Sequence, residues 1–151
     1  MSRAFVKEDD GEGDALPDRP ISPAPNYVTA NGLALIDAEL ARAQGALAEA
    51  GDDRTTRAAA ERDLRYWRAR RASAEVIPPP TDAGEVRFGA TVTIARADGR
   101  AQTFTIVGED EADPARGTLS YVSPLARALT GKAVGDTVTV AGGEAEIVGI
   151  A

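Results

Sequence analysis

The side chains able to do chemistry are few in kind. The sequence has no His and no Cys. That removes the commonest general base, thiolate nucleophiles and the usual zinc ligands together. Carboxylates and guanidiniums remain. Carboxylate oxygens suit a hard ion such as Mg²⁺, and they cluster in Gly51-Asp52-Asp53 and in Glu109-Asp110-Glu111 with Asp113. Asp52 and Asp53 have a plain reading as turn and helix-cap residues. A second reading offers them to Mg²⁺, and one side chain can serve both ends. The later cluster reads as a solvated loop, because no oxygen ligands from elsewhere complete a site. Seven arginines lie between Arg54 and Arg71, against only Glu61 and Asp63. On one helix they make a positive stripe. Arg54, Arg57, Arg65 and Arg68 are candidates for contact with phosphates or another acidic surface, and ordinary surface charge with intrahelical pairs is the alternative. The net charge of −7 argues against binding duplex nucleic acid by bulk electrostatics.

Two helices must position these groups. Thr29 or Asn31 can cap the first, near Gly32. Its apolar residues Leu33, Ile36, Leu40, Ala43 and Leu47 step by 3, 4, 3 and 4, a heptad seam. Gly51 stops it, and Asp52 or Asp53 caps the next. The second helix repeats the steps through Arg57, Ala60, Leu64, Trp67, Arg71 and Ala74. Trp67 is expected as core between this hairpin and the domain after it. Two heptad helices joined by a short polar turn fold back as an antiparallel hairpin about 30 Å long. Residues 1–26, acidic and then proline-rich, are expected to be a disordered leader. The Phe5-Val6 pair within it leaves room for a docking strip.

After Pro78-Pro79-Pro80 the period changes to two. Thr91 to Ile94, Thr103 to Val107, Thr118 to Val122, Thr137 to Val140 and Ala145 to Ile150 alternate as strands. Asp98-Gly99 is a hairpin turn. Ser123-Pro124 opens a short helix that ends before Gly131. The fold class is α+β. An N-terminal antiparallel coiled coil spans 28–77, and a β-sheet domain with one short helix spans 81–151.

Residues in this domain resemble the GreA/GreB family of bacterial transcription elongation factors. The matching segments are Val86-Arg87-Phe88-Gly89-Ala90-Thr91-Val92, Ile106 to Asp113, Ser120 to Leu129, and Gly131-Lys132 with Gly135-Asp136. Thr29 to Leu40 resembles the start of the family's first coil helix, and Ala74-Glu75-Val76-Ile77 the end of its second. The resemblance implies an FKBP-like C-terminal domain that docks at the rim of the secondary channel of RNA polymerase. Tyr121, Val122, Ser123, Pro124 and Leu125 fall in the docking loop. The coil enters the channel, where tip carboxylates help hold a second Mg²⁺ while the polymerase cuts backtracked RNA. Asp52 and Asp53 would do this transiently, with no metal stably bound and no cofactor. The arginines would face nascent RNA or the channel walls.

The chain departs from the family at the tip. Gly51-Asp52 is followed by Asp53-Arg54-Thr55-Thr56-Arg57, without the family's Glu and Tyr, and the coil is several turns shorter. A short-coil variant similar to the regulator of nucleoside diphosphate kinase, which occupies the channel without stimulating cleavage, is the alternative. The resemblance implies no enzymatic activity of the chain's own. Prolyl isomerisation, which the FKBP-like fold suggests, needs a more aromatic pocket than Phe88, Phe104 and Tyr121 supply. No stretch approaches the roughly 20 apolar residues that cross a bilayer. A cytoplasmic monomer, without membrane contact, is expected.

Overall fold

The computed structural model describes residues 16–151; the acidic run of the leader and the Phe5-Val6 pair lie outside the described residues. The chain divides into two compact units. One contains Leu35–Ser73 with the segment ending at Pro23, and the other contains Ala24–Ala34 and Ala74–Ala151.

The helices are α1 (Ala30–Ala50) and α2 (Arg54–Ser73). In the first unit their seam is largely the expected one. Ile36, Ala43, Ala60, Leu64 and Trp67 are buried, while Leu40 and Leu47 are half-buried. Each large buried side chain contributes about 1.5–3 kcal/mol, so the hairpin has few strong anchors. Two expected seam positions differ. Arg57 and Arg71 are exposed, and Arg70 is buried at 2% exposure. After Trp67 the buried stripe continues three residues on, at Arg70, rather than four. A helix allows either, because its turn of about 3.6 residues falls between them. Arg71 pairs across the hairpin instead, donating from Nε to Asp37 at 2.7 Å.

The disorder expected through residue 26 does not hold for its last part. Asp18 accepts a hydrogen bond from Arg65, Arg19 reaches Asp63, and in the second unit Asn26 is buried. Long guanidinium arms and aromatic faces on α2 give this segment partners that composition alone does not reveal.

In the second unit, β1 (Tyr27–Val28) and β2 (Glu75–Val76) form a parallel pair. Glu75 N–H donates to Asn26 O and Ile77 N–H to Val28 O, each at 2.9 Å. The segment Ala74–Ile77, expected as the end of the second helix, is therefore extended, and the span 28–77 shares both its ends with the sheet-bearing unit. The main sheet has β3 (Thr91–Arg96), β4 (Ala101–Val107), β5 (Thr118–Ser120), β6 (Thr137–Val140) and β7 (Gly143–Ile150), in the order β5-β4-β3-β7-β6. The β4–β5 pair is parallel and the others are antiparallel. Period two sorts its faces. Val92, Ile94, Ile106 and Ile147 point into a core covered by Ala126 and Leu129 of α3 (Pro124–Leu129). On the opposite face of β3 and β4, Thr91 meets Thr105 and Thr93 meets Thr103, hydroxyl to hydroxyl at 2.9 and 3.0 Å.

The acidic stretch before β5 is not merely a solvated loop. Glu109–Glu111 form a 3₁₀ turn. Glu111 accepts from the Thr29 hydroxyl at 2.5 Å and lies 3.4 Å from Thr29 N. Thr29 in turn caps α1, its Oγ1 accepting from Gly32 N at 3.0 Å. The first turn of α1 has no acid of its own, so Glu111 supplies the negative charge that the helix N-terminus favours.

Two glycines separate a structural need from an accident. A Cβ on Gly108 would lie 2.4 Å from Tyr27 O, a backbone atom that moves only if β1 moves. Nothing lies within 4 Å of one on Gly45, inside α1. Gly108→Ala should cost about 1–3 kcal/mol by overpacking, and Gly45→Ala should stabilise by about 0.5–1 kcal/mol through helix propensity. Urea denaturation of both variants checks the pair; a neutral Gly108→Ala refutes the close approach.

Candidate functional site

The hairpin tip is built by three successive residues. Gly51 takes φ +57°, the left-handed conformation that ends α1 without a Cβ penalty. Asp52 and Asp53 are exposed. Asp53 N–H donates to Ala50 O at 3.1 Å, and Asp53 O accepts from Arg57 N at 2.9 Å, opening α2. Its carboxylate accepts from the Thr56 hydroxyl at 2.6 Å. That bond, then bonds to the Thr56 and Thr55 backbone, hold its pKa below the usual 3.8. Of the two expected tip acids, Asp53 is thus a working N-cap. Among the described residues no group of three or more His, Cys, Asp or Glu side chains is placed to hold a metal.

The arginine stripe falls on α2 as expected, but its members differ. Arg57 reaches back to Gly51 O at 3.4 Å and lies 3.8 Å from Glu61. Arg65 is engaged by Asp18. Arg54 and Arg68 are exposed. Arg70, which the seam pattern did not single out, is the buried one. Beside them Tyr66 and Trp67 pack edge to face with centroids 4.9 Å apart. The Arg19 guanidinium sits 3.9 Å from the Tyr66 centroid.

The five expected docking residues divide between two surfaces of the second unit. Ser123 caps α3 with Oγ, accepting from Ala126 N at 3.3 Å, and Pro124 follows at the first helical turn. Ser123, Pro124 and Leu125 line a mostly apolar groove of about 380 Å³ with Arg96, Leu119, Thr139, Val140 and Ala141. Tyr121 and Val122 line a separate depression with Ala24, Pro25, Arg127 and Thr130. The Tyr121 ring packs against Tyr27 at 5.3 Å and Phe88 at 5.7 Å, and its hydroxyl donates to Pro25 O. Sequence reasoning missed the β6 wall of the groove. The signal was present: β6 is an edge strand, and Val140, at its end, belongs to the alternating set that packs on the core.

Residues 80–150 match the family model described as Transcription elongation factor, GreA/GreB, C-term. A Transcription elongation factor GreA of Desulfovibrio desulfuricans is 45% identical over 105 residues, covering 66% of this chain and 65% of the relative. One from Hyphomonas neptunium is 60% identical over 58 residues, covering 38% of this chain and 37% of the relative. The chain thus spans less than two thirds of the length of these curated relatives. Among solved structures, the prokaryotic transcription elongation factor GreA/GreB from Nitrosomonas europaea aligns with a TM-score of 0.40 at 20% identity, over 83% of this chain and 98% of that one.

The Asp53 cap has a pH signature. Its carboxyl pKa is depressed in the folded state, so the cap's contribution is present above the ordinary value of 3.8 and is lost as pH falls through the lower folded value. A carboxylate NMR titration should place the Asp53 midpoint below 3.8. Thr56→Ala should move it back toward that value, and a midpoint unmoved by this substitution refutes the assignment.

Proposed function

We propose that the chain is a GreA/GreB factor through its C-terminal domain, and that it binds bacterial RNA polymerase at the secondary channel and modulates cleavage of backtracked transcripts. The observation that carries this reading is the family match over residues 80–150, which contains the Ser123-capped helix and its groove. Pro124, Leu125 and the β6 wall form the docking surface. The hairpin, with helices of 21 and 20 residues, extends about 30 Å toward the catalytic centre of the polymerase. Asp52 offers carboxylate oxygens to the second Mg²⁺ there while Asp53 adds its charge beside it, and Arg54, Arg57, Arg65 and Arg68 contact nascent RNA or the channel walls. The chain lends ligands and the polymerase performs the hydrolysis.

A second reading makes the chain a channel occupant that competes with other factors and leaves cleavage unstimulated. The engagement of Asp53 as a cap favours it, since that leaves Asp52 as the tip acid without such a duty.

Two measurements test these readings. The wild type should co-purify with bacterial RNA polymerase. Pro124→Asp, at an exposed first-turn position, should weaken binding by about tenfold or more with unfolding unchanged. No binding at micromolar protein overturns the reading. In a transcript-cleavage assay on stalled complexes, Asp52→Ala should abolish stimulation. A wild type that displaces a cleavage factor without stimulating selects the occupant.

A further inference from the structure

The segment before the hairpin brings an anion and a flat cation to one strip of α2. Arg65 Nε donates to Asp18 Oδ1 at 2.6 Å. One residue on, the Arg19 guanidinium lies over the Tyr66 ring, 3.9 Å from its centroid and 5.4 Å from that of Trp67. Arg19 also donates to Asp63 Oδ1 at 3.2 Å. All these residues belong to one compact unit.

A nucleotide in a single strand presents the same two features. It has an anionic oxygen for a guanidinium and a planar face for an aromatic ring. Asp18 stands on Arg65 as a phosphate would, and Arg19 stands on Tyr66 as a base would. We propose that Asp18-Arg19 is a built-in competitor, a strap that occupies a single-stranded RNA contact on Arg65 and Tyr66 and is displaced by the strand. This rests on the reading of the arginine face as an RNA contact.

The contacts suit a displaceable strap. The Asp18 and Arg65 side chains are 72% and 50% exposed, and those of Arg19 and Asp63 are 35% and 42% exposed. Ion pairs and cation–π contacts at such exposure are weak and exchangeable. Pro17 and Pro20 flank the dipeptide, removing two backbone donors and disfavouring a helix that would fix it further. When Arg19 leaves, Asp63 keeps Arg62 at 3.8 Å, which limits its repulsion of an incoming phosphate. The strap lowers apparent affinity in proportion to the fraction of chains in which it is open.

Arg19→Ala gives the sharpest test, because it removes a positive charge. Bulk electrostatics predicts weaker binding to a polyanion, whereas a strap predicts tighter binding. A labelled single-stranded oligoribonucleotide, followed by anisotropy at low salt, reads the affinity. Fluorescence of the one tryptophan, Trp67, reads the strap. Arg19→Ala should bind more tightly. The charge-neutral pair Asp18→Asn with Arg19→Ala should bind roughly tenfold more tightly than wild type. Adding Arg65→Ala to that pair should abolish the gain. Weaker or equal binding by the strap variants overturns the strap and leaves the RNA contact standing. No binding by any chain overturns the RNA contact and the strap with it, while the polymerase co-purification judges the proposed function separately. Equal affinity for duplex RNA of the same sequence overturns the stacking contact on Tyr66.

Discussion

Two backbone hydrogen bonds, from Glu75 to Asn26 and from Ile77 to Val28, join the chain just before α1 to the chain just after α2. A helical hairpin leaves and re-enters its base at neighbouring points, and its seam here is too thin to fix those points alone. Ala and Arg hold many seam positions, and the large buried apolar side chains are few. The parallel β1–β2 pair supplies what the seam lacks, because backbone pairing does not depend on side-chain size. Gly108 shows how closely the second unit holds this strand. Its missing Cβ lets its own backbone approach Tyr27 O where any larger residue would collide.

The first turn of α1 extends the same constraint. Its free N–H groups and its dipole call for an acceptor and a negative charge, and the sequence places no acid there. Thr29 provides the acceptor and Glu111 the charge, from a turn eighty-two residues later in the chain. Gly32 is part of the arrangement, since a Cβ there would meet the Glu111 carboxylate at 2.3 Å. The aromatic contacts of Tyr121 with Tyr27 and Phe88 fasten β1 from another side. One short strand is thus held by backbone, by a capping carboxylate and by rings.

What the sequence shows depends on how local the cause is. Leu33, Ile36, Leu40 and Ala43 announce α1 by spacing, Gly51 and Asp53 announce the turn, and Ser123-Pro124 announces α3, because each rests on neighbours in the chain. The alternating strands are legible for the same reason. The β1–β2 pair is not, since two residues carry no period and their partners lie far apart. Arg70 rather than Arg71 is buried because one position is a rotation of about 100°, and small shifts of the seam decide which faces in. Composition does not reveal what Glu111 and Arg19 touch. Acidic or proline-rich segments look solvated until a distant partner is known, and those partners, Thr29 and Tyr66, are remote in sequence. Of the five residues proposed for docking, Ser123, Pro124 and Leu125 line one groove. Their separation from Tyr121 and Val122 was not legible, because the turn after β5 sends adjacent residues to different surfaces.

The two tip acids differ in what they can still do. A turn between antiparallel helices sets the carbonyl end of α1 beside the amide end of α2, so a cation is favoured on one side and an anion on the other. Asp53 belongs to the amide side. Its carboxylate is held by the Thr56 hydroxyl and by backbone N–H groups, and those bonds keep it ionised. The same bonds claim lone pairs that a metal would need, and replacing them would uncap α2. Asp52 lies one residue nearer the carbonyls that end α1, where the Arg57 guanidinium already reaches Gly51 O at 3.4 Å. Under the proposed function, the charge of Asp53 therefore acts on an ion at a distance while direct ligation falls to Asp52. A single ligating oxygen contributes less to a shared ion than a pair would. Under the proposed function, that is the physical reason the two readings, assisting cleavage and filling the channel, lie close together for a hairpin with this tip.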